Sequence, residues 1–313
     1  MIGISPRQLE VFVAIASGGS VRAASEQLHL SQPAASMALA ELERLLGAPL
    51  FDRSQRRLHL NANGRRTLPL AREVLERMRE LGNQLAAPSE LLSGELRLGA
   101  SNTVGNYLVG DLLGGFVNAH PQVALKLHVD NSAAIVASVL DYSVDLGCIE
   151  GPAAHPDLEL LPWREDELRI CAPTTHPLAQ RRRLQREDFA GARWILRETG
   201  SATRSQTERA LAALPAGETV LELDQSEAIK QAVIAGLGLA MLPAVAVADA
   251  HVAGRLAVLR TPFLSLKRPL SLVLHRRRYR SALLQAFLDS VQPPRSSRTE
   301  PTTATATTLK TKS

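Results

Sequence analysis

Cysteine is scarce in this sequence: Cys148 and Cys171 are the only two among 313 residues. Two cysteines exclude a disulfide framework, and no pair of cysteine or histidine residues has the spacing of a zinc site. No stretch reaches the ~18 apolar residues of a membrane span, and the N-terminus lacks the basic and apolar segments of an export signal. These absences favour a protein of the reducing cytoplasm, neither exported nor embedded in a membrane.

Catalytic signatures are also missing. The sequence has no G-x-S-x-G and no H-E-x-x-H motif, and its eight histidines are scattered, so neither a nucleophile with its base nor a metal cluster is indicated. We therefore expect no enzyme, no metal and no cofactor. The alternative of a solute-binding module for a transporter rests on the second half alone. It would require an export signal and would have no use for residues 1–66.

Acidic residues are absent from residues 53–66, a stretch that holds five arginines. The net charge of +5 over the whole chain is weak evidence for an anionic partner, but this local cluster of one sign favours a phosphate backbone. Two further runs, residues 181–183 and 276–278, are also arginine. We expect these two runs to be surface charge, because no groove-reading helix lies beside them.

Helix start and stop signals in the N-terminal residues predict three short helices. Ser20 and Ser31 are good N-caps before apolar repeats of helical spacing, and another such repeat follows Ser5-Pro6. Glycines at 18–19 and 47 end two of the helices. A tight turn around residues 29–31 separates the last two. This pattern predicts a helix-turn-helix, whose second helix enters the major groove of DNA.

The helix that begins at Ser31 has two different faces. Ala35, Leu39, Leu42 and Leu46 form one apolar stripe, which commits that face to a core. The other face carries small or hydrogen-bonding side chains that allow close approach to another surface: Gln32, Ala34, Ser36 and Met37.

A wing and a long helix are predicted next. The stretch "LFDRSQRRLHLNANGRR" indicates a β-hairpin followed by an Asn63-Gly64 turn. From Thr67 to about Ala87 the pattern predicts a helix of ~20 residues. Its apolar residues recur with a seven-residue period and form a seam along one side. A single chain offers no surface to bury this seam, which favours a dimer. The residues of that seam are Ala71, Val74, Met78, Leu81 and Leu85.

Strands and helices alternate from Glu95 onward, on either side of a midpoint near residues 162–172. This alternation predicts two α/β subdomains that share a cleft, with the strand "PLSLVLH" and the helix "SALLQAFLDSV" crossing back to complete the first. After Gln292 the chain is rich in Thr, Ser, Pro and Lys, which is typical of disorder.

These motifs together resemble the LysR-type transcriptional regulators over residues 4 to about 292. The resemblance is carried by A-A-S-x-x-L-x-x-S-Q-P-A-x-S, then L-E-x-x-L-G and L-F-x-R, and in the second half by "LRLGAS", "DLGCIEGP" and "AVIAGLGLAMLP". It implies an N-terminal all-α winged helix-turn-helix, a dimerising linker helix and a C-terminal α/β effector domain like periplasmic binding proteins. It also implies promoter DNA, a small-molecule effector and RNA polymerase as partners, and assembly into a dimer and a tetramer.

The expected domains follow from the same resemblance. They are a DNA-binding domain (1–66), a linker helix and hinge (67–94), an effector domain (95–292) and a disordered tail (293–313). Within the effector domain we expect subdomain I at about 95–164 and 265–292, and subdomain II at about 165–264.

The DNA contacts are assigned by position in the family motif. Ser31, Gln32, Pro33, Ala34 and Ser36 correspond to the recognition helix, and Arg53, Arg56 and Arg57 lie on the wing. Met37 and Ala38 stand where many relatives have a polar or basic reader. This departure predicts fewer direct base contacts and more reliance on the wing and on DNA shape.

Two polar loops are expected to face the effector, because ligands of open α/β sheets sit at the carboxyl ends of strands. One presents Ser101, Asn102 and Thr103, and the other presents Thr199, Gly200, Ser201 and Thr203. Helix N-termini favour anions, and the loops resemble branches of the family that sense sulfur oxyanions or small organic acids. We therefore expect a small oxyanion or carboxylate.

Three alternatives stay open at this site. Glu150, at the end of "DLGCIEG", would repel an anion, and it could instead receive an amine or face a backbone N–H or Arg204. Each serine or threonine could cap a helix rather than touch a ligand. Cys148 could line the cleft as a redox switch, although a buried strand cysteine is usually a small hydrophobe.

Overall fold

The computed structural model describes residues 3–54, 57–85 and 92–291. The predicted disordered tail, residues 293–313, lies outside this range. Among the described residues, no helix is both long enough and apolar enough to cross a membrane.

Three helices of the N-terminal half begin and end where the serines and glycines predict. Ser5, Ser20 and Ser31 each accept a backbone N–H from three residues on, and Gly47 ends the third helix in the left-handed conformation (φ +71°). The helices are α1 (Pro6–Gly18), α2 (Val21–Gln27) and α3 (Gln32–Leu46).

The predicted wing is an antiparallel hairpin of β1 (Phe51–Ser54) and β2 (Arg57–Leu60). The Leu58 N–H donates to the Gly19 carbonyl at 3.1 Å, which ties the wing to the turn after α1. Phe12 of α1 meets Phe51 edge to face, with 5.6 Å between ring centroids. The helices and the wing therefore share one core.

The Asn63-Gly64 turn prediction was wrong, because both residues lie in the first turn of helix α4 (Ala62–Leu85). The Asn61 side chain accepts the Gly64 N–H at 2.9 Å and caps this helix. A Cβ on Gly64 would overlap the Leu50 carbonyl oxygen and lie 2.6 Å from Leu60 Cδ2. Glycine is needed here for close packing within a helix, not for a turn.

The seam of α4 differs from the predicted one at Ala71. Ala71 is buried with Leu68 and Leu75 in the core of the N-terminal half, so it faces the chain's own helices. Leu70 takes its place on the exposed side. The exposed apolar residues of α4, which we call the α4 seam, are Leu70, Val74, Met78 and Leu81.

The second half of the chain alternates strands and helices, as predicted. Its strands are β3 (Gly94–Ser101), β4 (Val123–Asp130), β5 (Leu146–Glu150), β6 (Leu158–Pro173), β7 (Arg193–Arg197), β8 (Glu218–Leu223), β9 (Ala240–Pro243), β10 (Leu256–Leu259) and β11 (Lys267–His275). Its helices are α5 (Asn102–Tyr107), α6 (Val109–Ala119), α7 (Ser132–Leu140), α8 (Ala202–Leu211), α9 (Ser226–Ile234), α10 (Ala244–Val252) and α11 (Ala282–Val291).

We call the first unit of this half subdomain I. Parallel β4, β3 and β5 are extended by antiparallel β11 and then by the first part of β6. Helices α6 and α11 cover one face, where Phe116 and Phe287 meet edge to face. Helix α7 covers the other face through Ile135 and Val139. The sheet therefore has helices on both sides, and its β3 and β5 ends point toward the second unit.

Subdomain II is built on the end of β6. Strands β9 and β10 pair with it on opposite edges, and β7 pairs with β8 in parallel. Phe189 stacks on Trp194 in its core, with 6.1 Å between ring centroids. Strand β6 is thus shared: residues 158–167 pair with β11 in subdomain I, and residues 168–173 pair in subdomain II.

Candidate functional site

The predicted recognition helix presents the expected outer face. Ala35, Leu39 and Leu42 are buried against the other helices. The first turn on the opposite side is exposed at every residue that was assigned to DNA. These residues are Ser31, Gln32, Pro33, Ala34 and Ser36.

The wing residues are only partly covered by the structure. Arg53 lies in β1 and Arg57 in β2, as partners of Leu58 and Ser54 respectively. Arg56 lies outside the described residues. Strand pairing therefore places Arg53 and Arg57 on the same hairpin that α1 holds beside the helices.

The two loops predicted to bind the effector face each other across the subdomains. In the first loop Ser101, Asn102 and Thr103 are all buried; in the second Ser201 and Thr203 are buried, Gly200 is half-buried and Thr199 is exposed. The structure thus brings together every predicted residue except Thr199, whose side chain faces solvent.

Gly200 is one point at which the backbones of the two subdomains meet. Its carbonyl accepts the Ala133 N–H at the start of α7 at 3.2 Å. Its φ of +92° favours glycine, and a Cβ there would come within 3.1 Å of Asn131 Oδ1. A larger residue at 200 would push the second loop away from the start of α7.

Arg268 lies at the centre of the cleft and was not predicted. Its Nη1 donates to Thr203 Oγ1 of subdomain II at 2.9 Å, and its Nη2 donates to Thr103 Oγ1 of subdomain I at 3.2 Å. Its Nε donates to Asp166 Oδ2 at 2.7 Å. Arg268 is 4% exposed, so one guanidinium links both loops inside the protein.

Glu150 faces Arg268 rather than Arg204. Its Oε1 lies 3.7 Å from Arg268 Nη2, and its Oε2 accepts the Ser132 hydroxyl at 2.6 Å. Burial raises the pKa of Glu150, but the charge of Arg268 and the hydrogen bond from Ser132 outweigh it and hold the pKa below its usual value. Glu150 is therefore a buried carboxylate ion.

Arg204 has other partners. It donates to Glu208 at 2.8 Å, to the Arg197 carbonyl at 2.9 Å and to Glu222. Glu150 is not among these partners, so the alternative in which Glu150 faces Arg204 was wrong.

The hydroxyls of the cleft divide into caps and free groups. Ser201 Oγ accepts the Arg204 N–H at 3.3 Å and caps α8. For Ser201 the structure therefore favours the alternative of a helix cap. Ser101 precedes α5 but makes no such bond, and its buried Oγ has no hydrogen-bond partner in the described part of the chain. Ser101 also helps to lower the pKa of Glu150, so Glu150 is the neighbour with which a ligand would compete for this hydroxyl.

Both cysteines are fully buried strand residues. Burial raises the pKa of the Cys148 thiol well above its usual range and that of Cys171 to about 12. Neither thiol carries the negative charge that redox switching needs at neutral pH, which disfavours the redox alternative.

The charges of the cleft do not balance. Arg268 supplies one positive charge, whereas Glu150 and Asp166 supply two negative ones within contact of it. No cluster of His, Cys, Asp or Glu among residues 3–54, 57–85 and 92–291 could hold a metal ion. The cleft thus presents hydroxyls around one guanidinium and two carboxylates.

Comparison with known proteins agrees with this architecture. Residues 6–65 match the family model of the bacterial regulatory helix-turn-helix protein, lysR family, and residues 89–293 match the LysR substrate binding domain. The chain belongs to the LysR family of transcriptional regulators. This confirms the predicted family and fold class, and the prediction that the protein is not an enzyme.

Two of the similar proteins cover nearly the whole chain, and a third covers its second half. It is 41% identical to the uncharacterised HTH-type transcriptional regulator YeiE of Escherichia coli K12, over 93% of this chain and 98% of that protein. It resembles a full-length OxyR variant from Pseudomonas aeruginosa with a TM-score of 0.74 at 25% identity, over 92% and 94% of the two chains. The regulatory domain of CcmR from Synechocystis PCC6803, solved in complex with 2-PG, gives a TM-score of 0.59 at 27% identity, over 64% and 96%.

Proposed function

We propose that this LysR-type regulator is controlled by a small oxyanion or carboxylate bound between its two subdomains. The observation that carries the proposal is Arg268, whose guanidinium bonds Thr103 in one subdomain and Thr203 in the other. A buried guanidinium is the side chain best suited to bind such anions. An anion held there would contact both subdomains at once.

The neighbouring groups support the same ligand class. Ser101 offers a buried hydroxyl with no partner among the described residues, and the α8 N-terminus beside Ser201 favours negative charge. The CcmR regulatory domain, solved with 2-PG, supports a small-molecule effector in this half of the chain. Binding would change how closely the subdomains meet, and thereby the arrangement of the DNA-binding half.

Glu150 supports a second candidate, an effector that carries an amine. Its buried carboxylate and that of Asp166 outnumber Arg268, so the cleft as it stands attracts a cation. The two candidates differ in what Glu150 does: it competes with an anion for Arg268 but pairs with an amine.

The substitution Glu150→Gln separates these candidates. For an anionic effector, removal of the competing charge is expected to tighten binding by about tenfold or more; for an amine it weakens binding by a similar factor. Thermal-shift titration of the full chain with sulfate, phosphate, small carboxylates and amino acids measures this. Glu208→Gln on the exposed side of α8 is the matched control. A wild-type protein that no anion stabilises would contradict the first candidate.

We propose that Ser31, Gln32, Pro33, Ala34 and Ser36 meet the major groove, and that Arg53, Arg56 and Arg57 meet phosphates. Exposure of the first turn of α3 and the family match over residues 6–65 support this. Pro33 has no N–H and Ser31 accepts those of Ala34 and Ala35, which leaves the Gln32 N–H for a phosphate. Small side chains in this turn let the helix approach closely.

Arg57→Gln tests the wing contact. Loss of one phosphate contact is expected to lower the slope of log K against log salt by about 0.9 on any duplex sequence. Fluorescence anisotropy with a random duplex at several salt concentrations measures the slope. Arg182→Gln, an exposed arginine of subdomain II, is the control and should leave the slope unchanged. Equal slopes for both variants would remove Arg57 from the interface.

We propose that a second copy of the chain covers the α4 seam. Leu70 is 63% exposed and Leu81 61%, and such a stripe on a helix of 24 residues is typical of a helix that pairs with its own kind. A tetramer and contact with RNA polymerase stay predictions from the family resemblance.

A further inference from the structure

A second cluster of charge lies far from the effector cleft, where α1 and α4 face subdomain I. A cavity of about 1210 Å³ separates them. Arg72 of α4 reaches it from one side, and Arg97 of β3 and Arg278, which follows β11, reach it from the other. The prediction that residues 276–278 are all surface charge was therefore wrong for Arg278, whose side chain is 16% exposed.

One carboxylate pairs with two of these three arginines. Asp145 pairs with both Arg97 and Arg278, and its second oxygen accepts the Arg97 backbone N–H at 2.7 Å. The cluster of Arg72, Arg97, Arg278 and Asp145 therefore holds two more positive than negative charges.

Arg72 is the unpartnered member. Its Nε and Nη1 are buried and have no hydrogen-bond partner among the described residues, and its Nη2 lies 3.5 Å from Ser17 Oγ, the limit of a hydrogen bond. Burial and nearby Arg97 lower the pKa of Arg72 to about 9, even though Asp145 opposes this. A buried guanidinium left this way is costly unless something else pairs with it.

Other acids around the cavity are already engaged. Glu76 pairs with Arg79 at 2.7 Å and Glu95 with Lys126 at 2.7 Å, while Asp141 accepts the Ser143 N–H at 2.8 Å. The charge of Asp141 stays in place near Arg72. None of these carboxylates hydrogen-bonds to Nε or Nη1 of Arg72 in the described part of the chain, so these two groups are left to an outside anion.

We propose that this cavity is a second anion site, which takes a phosphate-type dianion through Arg72, Arg97 and Arg278. Three guanidinium groups around one paired carboxylate favour an anion, and planar guanidinium forks match the oxygens of a phosphate-type dianion. The cavity is larger than one phosphate needs, so inorganic phosphate and phosphate monoesters share the chemistry that it recognises. A bound dianion bridges α4 to subdomain I and so ties the DNA-binding half to the effector half.

The experiment titrates the full chain with inorganic phosphate, and separately with glycerol phosphate, against chloride at equal ionic strength. Phosphate is expected to raise the melting temperature above the chloride value, and Arg72→Gln to weaken the apparent affinity by about tenfold. Arg79→Gln, on the same helix and wall but paired to Glu76, is the matched control and should bind like the wild type. Stronger binding of glycerol phosphate identifies the monoester as the ligand.

Hydrogen exchange of the wild-type chain decides the location even if Arg72→Gln fails to fold. Phosphate is expected to slow amide exchange at residues 66–79 and 141–145. Protection confined to residues 101–104 and 199–203 would place the anion in the effector cleft only and overturn the proposal. Equal behaviour in phosphate and chloride, or equal affinity of Arg72→Gln and the wild type, would overturn it as well.

Discussion

Replacement of Arg268 by glutamine is expected to lower the free energy of unfolding by about 3–5 kcal/mol, because it leaves Glu150 and Asp166 as buried charges without their counter-ion. The same change removes the guanidinium that links Thr103 to Thr203. The variant should therefore also lose any stabilisation by an anionic effector. Urea denaturation with and without the effector identified by titration measures both losses.

The neighbouring Lys267 provides the control. Its Nζ lies 3.9 Å from Glu165 on an exposed surface, so Lys267→Gln should change stability by less than about 1 kcal/mol. Similar unfolding midpoints for the two variants would show that the Arg268 cluster contributes little.

The pH dependence of the Arg268 variant has a defined sign. In the wild type the depressed pKa of Glu150 contributes stability above the ordinary glutamate pKa, and this contribution is lost as pH falls through the depressed value. In Arg268→Gln the carboxylate is no longer stabilised as an ion and takes up a proton more readily. The stability gap between variant and wild type should therefore narrow as the pH is lowered.

Gly64→Ala is expected to destabilise the DNA-binding half by about 3 kcal/mol, because overpacking forces backbone shifts. The new Cβ would overlap the Leu50 carbonyl oxygen, which also accepts the Asn61 N–H at 3.1 Å. That carbonyl has no freedom to move without breaking the junction between the wing and α4.

Gly82→Ala is the matched substitution in the same helix. A Cβ there meets nothing within 4 Å, so alanine should stabilise the chain by about 0.5–1 kcal/mol through its better helix propensity. Thermal unfolding and binding to a random duplex measure both variants. An equal effect of the two substitutions would contradict the close packing at Gly64.

Local signals explain why the N-terminal helices could be predicted. Ser31 caps α3 and Gly47 ends it through contacts within a few residues, so the sequence alone carries that information. The turn prediction at Asn63-Gly64 was wrong because two local signals compete there: Asn-Gly favours a turn, and Asn61 favours a helix cap. The close approach of Leu50, which is distant in sequence, shows that the helix is formed.

The parts that sequence reasoning missed depend on distant residues. Ala71 fits a heptad as well as Leu70 does, and only packing against α1 decides which one is buried. In the cleft, the polar loops were predictable from their place after strands. Arg268 was not, because it lies 165 residues from Thr103 and 102 from Asp166. The available signal was a Lys267-Arg268 pair at the start of an apolar strand. Helix α10 and strand β10 lacked any pattern distinct from their surroundings.

Strand pairing also decides how the subdomains move. Arg268 and Asp166 are direct partners in the β6–β11 ladder, near the point where β6 leaves subdomain I. The register shifts between Leu270 and Ser271, opposite Trp163, where β11 also pairs with β5, and such a bulge increases the local twist of the strands. Residues 267–269 of β11 pair with β6 but not with β5, so we expect opening and closing of the cleft to twist this short segment. Arg268, which we propose to contact the effector, lies in this segment, so we expect a small change in its bonds to rotate one subdomain against the other.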